Sequence, residues 1–416
     1  MARNAATTEP DACIARYENV CVSQIRPGRH RLYFAAGRSA CDGQACSVQC
    51  ARNDTPVARR CSSARFPIRE HFMQEDPSVR YDPIIALLPS LPTGKLSENM
   101  AHFLYDTLLL EAEIWLRTNG SISVVLGSSM HAARPHDLAQ ELRRRLFAGS
   151  RFEAPQAQVI RCVTELWAYA TSCDRSLRTY GQQSFAARVE LLRSLANYTE
   201  APTSNVLFYA RSDTQRRQLL HPSHHFAAVQ AMYRPRFDVV SWDDFWSGGS
   251  RNGEHPSVDE QIHIVRNSAR IISPHGTFTS VWSFFLQPGA IVFELTASCY
   301  VYTWLPVPYL TRGRQWRPVS RLQQPTASYQ LSLRHIYLSW RLSDVAKRRN
   351  WSEPLLELVH PRTGEAQPWT SPWCCCKGLP RESDHHLQLP PSLLTRGLRL
   401  FEASSKRSHV FKGSEL

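Results

Sequence analysis

The strongest constraint on the fold is an alternation of short apolar strands with helices between residues 201 and 310. Strands are predicted at residues 206–209, 237–242, 269–273 and 290–295, with helices at 224–233, 257–267 and 277–286. The helix at 257–267 begins with Ser257 and Glu260 at the spacing of a capping box. Alternation of this kind is typical of a doubly wound unit around a parallel sheet.

A similar alternation precedes it. Helices are predicted at residues 102–118, 135–148 and 185–197, and strands at 122–126 and 157–164. The 416 residues have room for roughly two or three domains. We therefore predict an α/β protein with a Cys-rich N-terminal extension at 1–80, Rossmann-like lobes at 81–200 and 201–310 facing a cleft, and a basic C-terminal extension at 311–416 packing on the lobes. A terminal helix is expected at 393–403.

Cysteines are concentrated near the N-terminus. Six of the twelve lie in the first 61 residues, namely Cys13, Cys21, Cys41, Cys46, Cys50 and Cys61. A block this dense is typical of disulfide-forming compartments. Zinc is the alternative, but no C-x-x-C pair or paired histidine spacing accompanies these cysteines, so disulfides are favoured. We expect an irregular, disulfide-tied extension.

Glycosylation sequons point to the same compartment. Four N-x-S/T sequons occur, at Asn53, Asn119, Asn197 and Asn350, which favours a secretory route. The first eleven residues have no apolar segment of the kind a signal peptide contains, and no apolar run is long enough to span a membrane. On this interpretation a targeting segment is missing from the chain.

The net charge of +13 favours an anionic partner, such as a phosphate, an acidic glycan, a membrane surface or nucleic acid. The basic stretch at 312–349 is interleaved with Trp316, Tyr329, Tyr337 and Trp340. Such a stretch could form a nucleic-acid or acidic-glycan surface, but no nucleic-acid-binding motif accompanies it, and aromatic residues at these positions are more often core. Nucleic acid is therefore not the expected partner.

A phosphate-binding turn is predicted after the strand at 269–273. Pro274, His275 and Gly276 lead into a helix that begins at Thr277. Glycine allows the backbone to approach a ligand, and the first N–H groups of a helix favour an anion. The alternative is an ordinary tight turn with a solvent-facing histidine.

The neighbouring strand ends carry charged residues. Arg211, Arg216 and Arg217 follow the strand that ends at Tyr209, and guanidinium groups can bind phosphate in a bidentate manner. Glu294 lies near the end of the next strand, where a carboxylate can accept hydrogen bonds from ribose hydroxyls. The alternatives are solvated arginines and a merely exposed or structurally satisfied carboxylate.

Taken together, residues 205–297 resemble the catalytic core of glycosyltransferase family 61. The matching residues, in order, are Arg211, Arg216-Arg217, Glu260-Gln261, Pro274-His275-Gly276-Thr277, Phe285-Leu286-Gln287-Pro288-Gly289 and Glu294. Upstream, Asn99, His102, Phe103 and Asp106 resemble the "N-x-x-H-F-x-x-D" opening of the acceptor-side domain in that family. The resemblance spans about residues 80–310.

The resemblance implies a two-lobed fold of the GT-B kind and inverting transfer of a sugar from a nucleotide diphosphate donor, usually a UDP-sugar. N-acetylglucosamine, xylose or arabinose would be moved to a protein or polysaccharide hydroxyl in the Golgi or endoplasmic reticulum lumen. No metal cofactor is implied, and the membrane would be contacted only through the missing targeting segment. The implied donor-binding residues are Arg211, Arg217, Gln261, His275, Gly276, Thr277 and Glu294.

Acceptor activation is expected from the first lobe. His102 and Asp106 are four residues apart in a predicted helix, so either could remove a proton from the acceptor hydroxyl, or the two could form a structural pair. Asp243 and Asp244 follow a strand, and a helix-capping role is favoured for them over metal binding. Thr277 stands where the family usually has alanine, which leaves an inactive relative that binds nucleotide or glycan as the alternative function.

Overall fold

The structure is a computed structural model, and it describes residues 14–26, 29–35, 68–73, 82–89, 100–126, 137–153, 160–169, 182–199, 202–214, 216–248, 255–295, 334–337, 357–368 and 385–410. The chain divides into two compact units, Met1–Asn197 and Tyr198–Leu416. Both are mixed α/β with parallel strand pairing, which confirms the predicted fold class at this level. Over the described ranges, no helix combines the length and the apolarity needed to span a membrane.

The first unit is built on a seven-stranded sheet in the order β3-β2-β1-β7-β4-β5-β6. Its elements are β1 Ile14–Arg26, β2 Arg29–Ala35, β3 Ile68–Met73, β4 Asp82–Pro89, α1 Met100–Phe103, a π-helical segment Leu104–Leu108, α2 Leu109–Arg117, β5 Val124–Leu126, α3 Leu138–Leu146, β6 Arg151–Glu153, β7 Ile160–Tyr169 and α4 Gln182–Leu195. Strands β7, β4, β5 and β6 are parallel. In this parallel part β4, β5 and β6 are successive neighbours, and the chain then returns to place β7 on the other side of β4.

The N-terminal residues that the structure describes are strands, so the expectation of an irregular extension is wrong for them. β1 pairs antiparallel with β7, and β2 pairs antiparallel with β1. Cys21 lies opposite Cys162 in the β1–β7 register, and the two form a disulfide. The remaining N-terminal cysteines lie outside the described residues. A long strand was hidden from sequence reasoning because β1 carries charged residues among its apolar ones.

Buried ion pairs hold α2 against its helical neighbours. Arg143 of α3 donates two hydrogen bonds from Nε and one from Nη2 to the fully buried Glu111, at 2.7 to 3.0 Å. Arg188 of α4 donates from Nε to Glu113 at 2.8 Å. Each of the two buried carboxylates on α2 is therefore paired with a guanidinium. These ion pairs fix α3 and α4 against α2.

The second unit contains a five-stranded parallel sheet in the order β12-β11-β10-β8-β9. Its elements are β8 Asn205–Phe208, α5 Pro222–Tyr233, β9 Asp238–Ser241, α6 Trp242–Gly248, α7 Val258–Arg266, β10 Ser268–Pro274, α8 Thr277–Trp282, a 3-10 turn Ser283–Phe285, β11 Ile291–Leu295 and β12 Arg334–Tyr337, followed by β13 Glu357–Val359, β14 Ala366–Pro368, β15 His386–Gln388 and α9 Pro391–Val410. Strands β13, β14 and β15 form a separate antiparallel sheet. Each predicted strand and helix of residues 201–310 is present, with shifted ends, and α6 is an addition.

The C-terminal helix completes the core of the second unit. Leu393, Leu394 and Leu398 of α9 are buried in one apolar cluster with Val229 and Tyr233 of α5. Glu402 accepts a hydrogen bond from the Tyr233 hydroxyl at 2.7 Å and also pairs with Arg270 of β10. Burying a leucine side chain contributes about 1.5–3 kcal/mol, so this helix belongs to the fold of the unit. The predicted helix at 393–403 is confirmed and is longer at both ends.

Glu111→Gln should strongly destabilise the first unit. The substitution removes the carboxylate charge and leaves the Arg143 guanidinium buried without its counter-ion, which costs about 3–5 kcal/mol. Glu190→Gln is the control, because Glu190 is 58% exposed and 3.5 Å from Arg193, and its loss should cost under about 0.5 kcal/mol. Urea unfolding measures both free energies. Equal effects of the two substitutions would contradict the role of the buried pair.

The Cys21–Cys162 disulfide should be recovered from protein made by a secretory route. A non-reducing proteolytic digest analysed by mass spectrometry is expected to contain the peptide pair that joins these cysteines. The bond closes a sequence separation of 141 residues, so its reduction should lower the free energy of unfolding by about 2–4 kcal/mol. Recovery of both cysteines as free thiols would rule the bond out.

Candidate functional site

The site lies where strand order reverses in the parallel sheet of the second unit. In chain order the strands run 2-1-3-4-5, so the connections leaving β8 and β10 turn in opposite directions although the two strands are neighbours. Open α/β sheets bind ligands in the crevice that this reversal leaves at the carboxyl ends of the strands. Arg211 follows β8 at this edge, and His275 and Gly276 follow β10.

Arg211 and Gly276 form the centre of the site. The Arg211 guanidinium donates from Nη1 to the carbonyl oxygen of His275 at 3.0 Å. A Cβ atom on Gly276 would lie 1.6 Å from that nitrogen. Gly276 is extended, with φ 165°, so it is needed for space and not for its backbone conformation. The prediction that this glycine gives room to a ligand is therefore corrected, because the room is taken by the arginine.

His275 is buried beneath the turn and is paired with a carboxylate. Its Nδ1 pairs with Oε1 of Glu294, and Thr279 donates to the same oxygen at 3.0 Å. His275 is 8% exposed and Glu294 only 2%. Glu294 therefore orients the imidazole, and the geometry fits the alternative of a structurally satisfied carboxylate better than an acceptor for ribose hydroxyls. The alternative of an ordinary turn with a solvent-facing histidine is also wrong, because His275 is buried.

Burial dominates the electrostatics of His275. It lowers the pKa of the imidazole, because the charged form loses hydration, and the positive charges of Arg217 and Arg211 lower it further. The carboxylate of Glu294 acts in the opposite direction and only partly offsets burial. Arg211 and Arg217 therefore both contribute to the electrostatics of this imidazole.

The two arginines lie on a single loop, residues 210–220, which we call the arginine loop. Leu219 donates its N–H to the Ala210 carbonyl at 2.9 Å and closes the loop at its base. Arg211 and Arg217 both have positive φ, 64° and 59°. Non-glycine residues adopt this conformation only where neighbouring contacts enforce it. The loop thus holds its two partly buried arginines in a fixed backbone geometry, while Arg216 is exposed.

Asp243 anchors the arginine loop. Its carboxylate accepts from the N–H groups of Ala210 at 2.8 Å and Ser212 at 2.7 Å. Burial raises the pKa of this carboxyl above its ordinary value, although the two N–H groups counteract the shift. The start of α6 is capped instead by Ser241, which accepts from the N–H of Asp244 at 3.2 Å. The expected helix-capping role of Asp243 is therefore wrong.

An aromatic layer packs beneath the loop. Tyr209, which directly follows β8, packs at a tilt against Phe278 with ring centroids 4.6 Å apart, and its hydroxyl donates to Asp213 at 2.7 Å. The ring centroid of Phe278 lies 4.9 Å from that of Trp242. Burial raises the pKa of Tyr209, which remains a neutral donor at physiological pH. The layer therefore links the first turn of α8 to α6 and to the arginine loop.

The remaining predicted residues are placed as follows. Gln261 is buried in α7, where its side-chain amide donates to the Pro256 carbonyl at 2.8 Å. Thr277 begins α8, but its side chain lies outside the described part of the structure. The backbone of the first unit places His102 in α1 and Asp106 in the π-helical segment, and their side chains are likewise outside it.

Asp243 and Thr279 are site residues that sequence reasoning missed. Asp243 follows β9, and parallel pairing aligns Phe208 of β8 with Ser241 of β9, so Ala210 and Asp243 both come two residues later. The sequence signal for this role of Asp243 was an acidic residue just after β9, next to the arginine-rich segment that follows β8. Thr279 gave no signal in the sequence, because only the fold brings it into contact with Glu294.

Within the described ranges, no cluster of three or more His, Cys, Asp or Glu side chains is arranged to hold a metal ion. No protein-family model matches the sequence, and no curated protein is significantly similar to it.

Gly276→Ala should destabilise the second unit through Arg211. The added methyl overlaps the guanidinium, and such overpacking costs about 1–3 kcal/mol of unfolding free energy. In an Arg211→Ala background the same substitution should cost at least about 1 kcal/mol less, because the clashing group is gone. Urea unfolding of the four proteins gives this coupling.

Gly248→Ala is the control for added volume, because no atom lies within 4 Å of its Cβ position. It should change stability by under about 0.5 kcal/mol. A Gly276→Ala penalty that is equal with and without Arg211 would show that the guanidinium is not seated where the structure has it.

Proposed function

We propose that the chain is an inverting glycosyltransferase that uses a nucleotide diphosphate sugar, most simply a UDP-sugar. The acceptor would be a protein or polysaccharide hydroxyl, and the sugar N-acetylglucosamine, xylose or arabinose. The proposal includes the two-lobed GT-B arrangement, with the second unit binding the donor and the first unit contributing the acceptor side. The sequence resemblance to glycosyltransferase family 61 and the geometry of the second unit both support it.

The observation that carries the proposal is the seating of Arg211 against the His275–Gly276 turn at the reversal of strand order. This contact brings a guanidinium to the edge of the sheet where α/β proteins bind phosphates. Arg217 acts electrostatically on the same imidazole. Two arginines and the first N–H groups of α8 are groups of the type that bind a diphosphate.

These groups suit the chemistry of the donor side. When the bond between the anomeric carbon and the diphosphate oxygen breaks, the diphosphate leaves with the electron pair and its negative charge increases. Guanidinium groups fixed in place before the reaction stabilise that charge without reorganisation. We therefore expect transfer without a metal cofactor. Gln261 and Thr277 complete the proposed donor site, and Glu294 acts by orienting His275.

The acceptor side of the proposal rests on His102 and Asp106. One of them would take the proton from the acceptor hydroxyl while the oxygen attacks the anomeric carbon from the face opposite the diphosphate, which inverts the configuration. General base catalysis of this kind contributes about two to four orders of magnitude. Their helix includes a π-helical segment, and such segments are frequent at functional sites.

One observation favours a second function, binding of a nucleotide or glycan without turnover. The Arg211 guanidinium fills the space over Gly276, and the Glu294 carboxylate is bonded to His275 and Thr279. An inactive relative would keep such internal contacts after losing the reaction. Consumption of a sugar donor separates the two functions, because a purely binding protein leaves the donor intact in the presence of any acceptor.

The proposed location is the Golgi or endoplasmic reticulum lumen, with the membrane contacted only through a targeting segment. The Cys21–Cys162 disulfide and the four sequons are compatible with an oxidising, glycosylating compartment. Nucleic acid is not among the proposed partners.

UDP should bind the full chain, and Arg217→Ala should weaken the binding. Loss of one charge-assisted contact to the diphosphate costs about 1.5–3 kcal/mol, which corresponds to a roughly tenfold to 150-fold rise in Kd. Arg216→Ala is the matched control, because Arg216 is adjacent and exposed, and it should change Kd by less than about threefold. Isothermal titration calorimetry measures the Kd values.

A thermal-shift screen with nucleoside diphosphates and nucleotide sugars should first identify the best donor, since a ligand of the native state raises Tm. The proposed function fails if no nucleotide in the panel raises Tm. It fails equally if UDP binds with the same Kd in wild type and in Arg217→Ala.

A further inference from the structure

The arginine loop is joined to the small C-terminal sheet by hydrogen bonds on both sides of Gln218. The Gln218 N–H donates to Nδ1 of His386 at 3.1 Å, and the Gln218 carbonyl accepts from the N–H of Leu387 at 2.7 Å. Leu220 donates to the Leu387 carbonyl at 2.9 Å. The two bonds that involve Leu387 join backbone groups only. The bond from the Gln218 N–H depends on the imidazole side chain of His386.

Gln218 transmits this attachment to the rest of the loop. Its side-chain amide donates to the Ser212 carbonyl at 3.2 Å and to the Thr214 carbonyl. Ser212 follows Arg211 directly, and Arg217 precedes Gln218. The position of Gln218 therefore sets the geometry of both arginines, and His386 fixes the N–H of Gln218.

We propose that His386 is a positioning residue for the arginine loop that acts only when its Nδ1 carries no proton, so that acidification releases the loop and weakens binding of the nucleotide diphosphate. The effect on ligand affinity rests on the proposed function. The effect on the loop does not.

The reason is the chemistry of imidazole. Neutral His386 offers a lone pair at Nδ1, whereas the doubly protonated ring has an N–H at both nitrogens and cannot accept from Gln218. The loop would then lose the anchor at the Gln218 N–H.

The segments next to His386 carry several titratable or charged residues. Adjacent His385 is buried, and its ring lies 5.2 Å from that of His360 on the β13–β14 hairpin. The loop contributes Arg216 and Arg217, and the paired strand β13 contributes Glu357, which lies opposite Gln388. Burial lowers the pKa of His386, and the positive potential of His385 lowers it further.

The sign of the pH effect follows from this shift. The docked loop binds fewer protons at His386 than the released loop, whose imidazole has an ordinary pKa of about 6.5. Docking is therefore fully favourable above about pH 6.5 and is progressively lost as the pH falls below that value. Neutral conditions should give a docked loop, and mildly acidic conditions a looser one.

Hydrogen exchange monitored by mass spectrometry tests the loop without any ligand. After correction for intrinsic exchange, peptides spanning residues 210–220 should lose protection in wild type between pH 7.5 and 5.5. His386→Asn should keep protection at both values, because the Asn oxygen accepts a hydrogen bond and does not titrate. His386→Leu should lack the added protection at both values. His360→Asn is the matched control and should behave as wild type.

Calorimetry with UDP tests the consequence for affinity. The ratio of Kd at pH 5.5 to Kd at pH 7.5 should be at least about fivefold larger in wild type than in His386→Asn, about 1 kcal/mol. Protonation of UDP and of His275 is common to both proteins and cancels in this comparison. His360→Asn should retain the wild-type ratio.

The outcomes separate the two claims. Equal exchange profiles for wild type and His386→Asn at both pH values overturn the positioning role. The predicted exchange pattern without any UDP binding supports the positioning role and contradicts the proposed function. A predicted exchange pattern together with equal Kd ratios overturns the link between the loop and ligand affinity.

Discussion

The Arg211 guanidinium seated against the His275 carbonyl is the contact on which the candidate site depends. It joins the segments that follow β8 and β10, two adjacent strands whose connections turn in opposite directions. Only glycine at position 276 leaves the space for it. Without this contact the arginine loop and the turn before α8 would lose the direct hydrogen bond that joins them, and Arg211 would not be held at this edge of the sheet.

Support for this contact comes from both sides. Below the turn, Glu294 and Thr279 hold His275, and above it Asp243 holds the N–H groups of Ala210 and Ser212. These hydrogen bonds hold the turn and the arginine loop from two sides, which makes the arrangement rigid. A rigid cationic corner is suited to a leaving group whose charge increases during reaction, because little reorganisation is needed.

Sequence reasoning predicted much of the second unit, because its strands are continuously apolar and its helices have clear starts, such as the capping box at Ser257 that the structure confirms. It also selected Arg211 and His275, which are in contact, and Arg217, which lies on the same loop as Arg211. It could not find that Arg211 fills the space at Gly276, that Glu294 faces inward, or that Asp243 holds a loop from a neighbouring strand. These are contacts between distant segments, and only strand order and register decide them. The long strand β1 was missed because its mixed charged and apolar residues hid its pairing with β7.

The most direct test of the account is a crystal structure of the full chain with UDP. The diphosphate oxygens are expected to lie within hydrogen-bond distance of the Arg217 guanidinium and of the backbone N–H groups at the start of α8, beside the Arg211–Gly276 contact. A diphosphate bound at another edge of the sheet, with Arg211 and Arg217 out of reach, would contradict it.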